Sequence, residues 1–402
     1  MRLLVLAPQP FYVERGTPIA VDLLVRTLAE QGHAVELLAF HLGTSPRYPN
    51  VTVHRIPRVP FVRAVGAGLS ARKLLCDALF VPAALRLVAS GRFDAVHAVE
   101  EAVFVAMAAR RLFGLPYVYD MDSSLSDQVV QKAPLLRPTA PLMRALERAA
   151  IRGSAAVAPV CDALAARASA AGARRVVLLR DVSLLSPDAA SRGPAAGTPA
   201  RAEVGGERAG GTPATVVMYV GNLERYQGID LLLEGFARAA RRDPSLVLAV
   251  VGGAPADVAR YGGAAERLGL EGRARFLGPR PVARLAEYLA AADVLVSPRV
   301  AGDNTPMKVY SYLHAGRPLV ATDLPTHTQV LTPEVALLVP PDPDWLAGAL
   351  VRLARDPALR ARLSAAGRRL VEARHSLPAF AAQVAALYPP AAAPAPAARA
   401  SA

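Results

Sequence analysis

The residues whose types and spacing best suit chemistry lie in the run SPRVAGDNTPMKVYSYLHAGRPLVATDLPTHTQVL, from Ser297 to Leu331. An apolar run ends at Ser297-Pro298. A polar loop with Arg299, Asp303 and Asn304 follows, and then a helical pattern begins. Thr305 suits the N-cap, Pro306 the first helical position and Gly316 the exit. Free N–H groups and the dipole at such a helix start attract an anion, for example a diphosphate. Lys308 falls in the first turn, where a cation is unfavourable for the helix itself. Its charge makes sense there against a ligand phosphate; a solvated surface lysine is the plain alternative.

A second signal is YVGNLERYQGID, from Tyr219 to Asp230. A strand runs into a loop with Gly221 and then into a helix with Leu231, Leu232 and Phe236. Glycine lets backbone approach a phosphate closely. Gly252-Gly253, after the next apolar run, is similar, and each is weak alone because many α/β loops carry glycine. In the first half, Glu14-Arg15-Gly16-Thr17-Pro18 follows the first apolar run, with Thr17 as a cap and Pro18 opening a helix that runs to Gly32. His97 precedes Glu100-Glu101, Asp120 and Asp122 follow another apolar run, and Arg180-Asp181 end a third. Carboxylates at strand ends are candidates for a general base or for holding sugar hydroxyls. Asp122 or Ser123 as a helix cap, and His97 as a satisfied core histidine, are the competing readings.

The elements that must position these groups alternate in kind. Short apolar runs at 3–6, 34–40, 51–55, 95–98, 117–119, 155–158 and 176–179 are separated by segments long enough for crossover helices. Runs recur at 216–220, 247–251, 274–277, 293–297, 319–321 and 336–339. Continuous apolar runs are what strands covered on both faces require. The pattern predicts an α/β protein of two Rossmann-like, doubly wound parallel-sheet domains. Their ligands belong at the carboxyl ends of the strands, in a cleft where the two domains face each other. The expected organisation is an amino-terminal domain over 1–185, a flexible Pro-, Gly- and Ala-rich linker over 186–213, and a second domain over 214–376. A helix over 377–388 and a disordered Pro/Ala tail over 389–402 complete it.

Composition sets the class. A chain of 402 residues, 53% hydrophobic and 20% charged, has the apolar surface for two packed cores and is neither disordered nor fibrous. The net charge of +13 comes from 46 basic and 33 acidic side chains, only three of the basic ones being lysine. An arginine-rich bias of this kind reflects either coding composition or an anionic partner. Two cysteines, Cys76 and Cys161, form no metal or redox motif and fit a reducing cytoplasm. The start lacks a signal sequence pattern, and no run is long and apolar enough to span a membrane. Arg55, Arg58, Arg63, Arg72 and Lys73 interleave with Phe61, Val62, Leu69, Leu74 and Leu75. That mixture suits either an anionic membrane surface or a solvated basic face.

Taken together, these blocks resemble glycosyltransferase family 4, retaining enzymes of GT-B fold. The stretch SPRVAGDNTPMKVYSYLHAGRPLVATD is similar to the family's donor-site block, YVGNLERYQGIDLLLEGF to the opening of its second domain, and LVPPDPDWLAGALVRLARDPALRARLSAAGRRLV to its closing helices. The resemblance implies transfer of a sugar from a nucleoside-diphosphate donor to a glycan, lipid-linked or small-molecule acceptor. It also implies a last helix that crosses back to the first domain. The family's paired glutamates, E-x7-E, fall on Asp303 and Ser311, and its phosphate-loop Arg and Lys fall on Asn222 and Gln227. Lys308, Arg299 and Arg225 are the candidates for the displaced charge. The family's histidine near the fifth strand falls at about Asp120–Asp122.

The expected donor side comprises Gly16, Gly221, Asn222, Arg225, Gln227, Gly252, Arg299, Asn304, Thr305, Lys308 and Ser311. The acceptor side comprises Glu14, His97 and Glu100, and the catalytic candidates are Asp120, Asp122 and Asp303. No metal and no cofactor are expected beyond the nucleotide sugar as co-substrate. Asp120-Met121-Asp122 matches D-x-D by letter only. A nucleic-acid partner is not expected; peripheral association with the cytoplasmic membrane face is. A non-catalytic binding protein or a sugar-nucleotide epimerase on the same fold is the alternative. A dinucleotide dehydrogenase is disfavoured because no G-x-G-x-x-G follows a strand.

Overall fold

The computed structural model describes residues 1–14, 16–65, 70–126, 138–186, 198–207, 213–302 and 304–389. Contacts divide the chain into two units. One is Met1–Arg180 together with the segment from Phe380, and the other is Asp181–Ala379.

The first unit holds strands β1 (Arg2–Leu6), β2 (Ala34–Ala39), β3 (Val51–Arg55), β4 (Ala95–Val99), β5 (Tyr117–Met121) and β6 (Ala156–Pro159). They pair in the order β3-β2-β1-β4-β5-β6, every pair parallel. The second unit repeats the plan with β7 (Thr215–Val220), β8 (Leu246–Val251), β9 (Ala274–Gly278), β10 (Val294–Ser297), β11 (Leu319–Thr322) and β12 (Leu337–Val339). Its order is β12-β11-β10-β7-β8-β9, again all parallel. The expected doubly wound α/β architecture is therefore present twice. In each sheet the order reverses beside the first strand, between β1 and β4 and between β7 and β10. An open α/β sheet leaves a crevice at that reversal, outside the carboxyl ends of the strands.

The strands form where they do because their side chains are apolar on both faces. Every residue of β4, β5 and β8 is buried. Helices cover the faces with matched stripes: in Ile229–Arg242, Leu232, Leu233, Phe236 and Ala240 point inward while Arg241 and Arg242 close the last turn.

Several local expectations change. The run at 176–179 is not a strand but an isolated parallel bridge of Val176 to Val157. The residues expected as linker are not all linker. Pro199–Glu203 is a helix capped by Thr198, and Asp181 to Leu185, expected at the end of the first domain, belongs to the second unit. Ala200 and Val204 are buried in the second unit's core, so this stretch contributes apolar packing despite its composition. Glu203 ties it down through Arg280 and the Tyr288 hydroxyl. Residues 187–197 and 208–212, and the tail 390–402, lie outside the described residues. The first helix is Gly16–Glu30, beginning before the expected cap Thr17. The last helix is Leu377–Leu387, and its residues from Phe380 pack within the first unit.

A buried histidine ties the carboxyl ends of β10 and β11 together. His327 Nε2 lies 2.8 Å from Ser297 Oγ, and Nδ1 lies 3.0 Å from Thr322 Oγ1. Burial lowers its pKa from 6.5 to about 4.

Two measurements test this account. Val204→Ala is expected to cost roughly 1–3 kcal/mol in urea unfolding, whereas a residue in a free linker would stay within about 0.5 kcal/mol. Because folded His327 takes its proton later than the unfolded chain does, stability is full above pH 6.5 and falls as pH drops toward 4. The loss from this one group reaches about 3 kcal/mol by pH 4. His327→Gln is expected to flatten that dependence in melting curves recorded from pH 7 to 4.

Candidate active site

At the β7–β10 reversal of the second unit the loops after β7, β8 and β10 pack without room for side chains. A Cβ on Gly252 would lie 2.2 Å from the Gly221 carbonyl oxygen, and one on Gly228 would lie 1.9 Å from that of Pro298. Gly228 also has φ +74°. Backbone therefore lines this crevice at close range.

Lys308 reaches into it from the helix Met307–His314. Its Nζ donates to the Tyr219 hydroxyl at 2.7 Å and to Gln227 Oε1 at 3.0 Å, and lies against the Tyr219 ring. It also stands 2.7 Å from where a Cβ of Gly221 would be. No carboxylate among the described residues pairs with it. Burial first, and then repulsion from Arg299, lower its pKa well below the ordinary lysine value. Arg299 is buried and donates to the Asn304 carbonyl at 2.8 Å and to Thr326 Oγ1 at 3.0 Å, with its guanidinium over the Tyr226 ring. A buried Arg299 and a half-buried Lys308 thus stand near each other, an arrangement that stabilises an anion placed between them.

Other predicted donor-side residues fall differently. Thr305 is not the helix cap. The helix starts at Met307 after an extended Pro306, and the buried Thr305 Oγ1 has no hydrogen-bond partner among the described residues. Ser311 is buried and its Oγ accepts from the Leu184 N–H at 3.0 Å. It holds the 181–185 segment rather than facing an open pocket. The reason is local: Ser183 bonds His314 on the same helix, and His375, just after the helix Pro357–Arg374, bonds the Asp181 carbonyl, so the segment is held at both ends. Arg225 and Asn222 are exposed, the Asn222 carbonyl accepting from the Tyr219 hydroxyl. Gln227 is buried beside Lys308. Asp303, a catalytic candidate, and Arg15 lie outside the described residues.

In the first unit, Glu14 is exposed, and a Cβ on Gly16 would meet nothing within 4 Å. Glu100 ends β4 with φ 48° and accepts from Ser123 Oγ at 3.0 Å. Asp122 is half-buried in the next loop. His97 and Asp120 lie on the same face of adjacent strands, since Val99 pairs with Asp120 and His97 with Val118. His97 Nε2 stands 3.0 Å from Asp120 Oδ2, and its Nδ1 stands 3.0 Å from the Tyr388 hydroxyl. His97 is thus both a satisfied buried histidine and a partner of a candidate carboxylate.

The basic stretch 55–73 is not uniformly a surface. Arg55 donates to the carbonyls of Phe40, Leu42, Phe11 and Thr44 and to Ser45 Oγ, so it staples loops of the first unit. Lys73 bonds Glu101, Asp77 and the Pro8 carbonyl. Burial opposes its charge, but the two carboxylates outweigh it and raise its pKa. Val62 is buried, and Leu69 lies outside the described residues.

Tyr219, Tyr226, Thr326 and Tyr388 were not singled out from sequence. Tyr219 and Tyr226 sit inside the quoted glycine-loop run, so proximity was an available signal. Thr326 and Tyr388 carried none, because only the fold brings them to Arg299 and His97.

Residues 15–181 match a family model described as a glycosyl transferase 4-like domain, and residues 214–356 one described as glycosyl transferases group 1. The D-inositol 3-phosphate glycosyltransferase of Kribbella flavida is 30% identical over 379 residues, covering 86% of this chain and 84% of that protein. The sucrose-phosphate synthase of Thermosynechococcus elongatus superposes with a TM-score of 0.77 at 22% identity, over 96% of this chain and 98% of that one. Anabaena HepE in complex with UDP-glucose superposes with a TM-score of 0.69 at 19% identity, over 96% and 99% of the two chains. With both sheets of the expected plan in place and relatives matched along most of its length, this chain belongs to glycosyltransferase family 4 and is a glycosyl-transferring enzyme of GT-B fold.

Proposed function

We propose that this glycosyltransferase takes its sugar from a nucleoside-diphosphate donor whose diphosphate lies against Lys308 and the backbone after β7. Transfer is to a hydroxyl of a glycan, lipid-linked or small-molecule acceptor, with retention of configuration. The observation that carries this reading is the half-buried Lys308 ammonium, held among the described residues only by neutral acceptors and next to a second cation. A half-buried cation without a counter-charge among the described residues costs free energy that a bound anion recovers. As the sugar leaves, negative charge grows on the departing phosphate, so Lys308 binds the transition state better than the ground state. The solved UDP-glucose complex of the similar HepE fits such a donor.

Lys308 also accounts for a family position that lost its charge. The phosphate-loop lysine falls on Gln227, and Lys308 Nζ stands 3.0 Å from Gln227 Oε1. The ammonium is delivered to the same place from another element. Arg225 is exposed, and Arg299 is committed to Asn304 and Thr326, so Lys308 is the cation nearest the vacated role. In the first unit, Glu100, Asp120 and Asp122 are the groups proposed to meet sugar hydroxyls.

A membrane face is proposed on a narrower set than the sequence suggested. Phe61 is 90% exposed, and Leu74 and Leu75 are exposed near Arg58, Arg63 and Arg72 in the chain. Each arginine near an anionic surface adds about 1 kcal/mol. No helix among the described residues is long and apolar enough to cross a membrane, so attachment would be peripheral.

Lys308→Met is expected to lower kcat/KM for the donor by about 10²–10³-fold and to weaken the thermal shift given by UDP, GDP, ADP or dTDP. Gln227→Lys in that background should restore part of both. Unchanged nucleotide binding and turnover in Lys308→Met would refute the assignment. Flotation with vesicles that contain phosphatidylglycerol should carry the protein upward, less so at high salt. Leu74→Glu with Leu75→Glu should abolish it, and equal behaviour on neutral vesicles would sink the membrane face.

A further inference from the structure

We infer that Tyr388, His97 and Asp120 form a positioning relay through which the carboxyl-terminal helix orients the Asp120 carboxylate toward a sugar hydroxyl. This rests on the glycosyl-transfer reading above but goes beyond it, since it assigns work to the last helix. Asp120 sits one residue before the end of β5, where the sheet presents its ligand side. One oxygen, Oδ2, is taken by His97 Nε2 at 3.0 Å. The other, Oδ1, takes no hydrogen bond from any described residue, and the side chain keeps 11% of its surface exposed. This oxygen is not one of the enclosed unpartnered atoms of the described residues, so it reaches the surface, and with the carboxylate fixed through Oδ2 it can accept from a substrate hydroxyl there.

The partners determine how the relay works. A carboxylate can only accept, so Nε2 of His97 carries the hydrogen. In the neutral ring Nδ1 then accepts from the Tyr388 hydroxyl at 3.0 Å. Both ring nitrogens are thereby assigned, and the imidazole cannot turn without breaking a buried bond. His97 is fully buried and Tyr388 nearly so. The Tyr388 end is itself held. The Ala381 carbonyl accepts from Gln31 Nε2 at 2.7 Å, Gln383 Oε1 accepts from the Arg180 N–H at 2.8 Å, and Phe380, Val384 and Leu387 are buried. A histidine needed only to fill the core would not require a carboxylate beside it on the ligand side of the strand.

The test compares Asp120→Asn, His97→Gln, Tyr388→Phe and the double variant His97→Gln/Asp120→Asn in the full chain. Asp120→Asn is expected to lose about 10²-fold in kcat, the low end of an acid–base or hydroxyl-orienting contact. His97→Gln should lose roughly tenfold and Tyr388→Phe a few-fold. The double variant should be no slower than Asp120→Asn alone, because all three act as one unit. Thermal shifts by the four nucleotides should stay at the wild-type level in every variant, so loss of donor binding, which would count against the Lys308 reading, is scored separately. If the hydroxyl belongs to the donor sugar, donor hydrolysis without acceptor falls in parallel. If it belongs to the acceptor, only transfer falls. The relay is overturned if Asp120→Asn or Tyr388→Phe turns over at the wild-type rate. It is equally overturned if the losses add in the double variant, or track melting temperature alone, as a purely structural role predicts.

Discussion

A parallel sheet covered on both faces has no water within reach of its interior, so polar groups along its strands must be paired and free ones collect at the strand ends. The groups proposed to be functional in this protein follow that constraint. Where the strand order reverses, between the paired β1 and β4 and between the paired β7 and β10, an open α/β sheet leaves a crevice at the carboxyl ends. Lys308, Arg299 and Gln227 gather at one reversal, and Glu100, Asp120 and Asp122 lie near the ends of β4 and β5 in the other unit. The helices and cores set the positions, and the strand ends carry the chemistry.

At the second unit's reversal, close backbone packing and a half-buried cation depend on each other. Gly221, Gly228 and Gly252 let three loops approach until a methyl group would collide with a neighbour. That leaves Lys308 half-buried against Tyr219 and Gln227, with no described carboxylate paired to it. Burial and the nearby Arg299 disfavour the charged form of Lys308, and in the proposed reading a bound anion offsets that cost. In the proposed reading the same logic suits a loop that carries Asn222 and Gln227, with Lys308 reaching Gln227 from another element. The charge need only arrive in the right place, not from a particular strand.

The first unit solves its polar problem by chaining. His97 in the middle of β4 would be an unsatisfied buried group, and Asp120 a half-satisfied one, without each other and without Tyr388. Lys73, with Glu101 and Asp77, handles a second buried charge nearby. Arg55 is satisfied entirely by backbone carbonyls and one hydroxyl. Residues that read in sequence as a basic surface are therefore partly the ties that hold loops over the β1–β4 reversal.

Sequence by itself determined the architecture, because apolar runs of strand length spaced for crossover helices admit few folds other than two parallel, doubly wound sheets. It also singled out the block from Ser297 to Leu331 and Lys308 within it, whose place in a helix's first turn is unusual for a cation. It could not decide partners separated by long stretches of chain. That Ser311 would be consumed by the Leu184 N–H, that Thr305 would sit before the helix rather than cap it, and that Ala200 and Val204 would be core in a Pro- and Gly-rich stretch depended on packing. The same holds for Tyr388, 291 residues from His97. A hydrogen bond is decided by angstroms, and periodicity in a chain carries no information at that scale about which distant segment arrives beside it; only the folded core sets that distance.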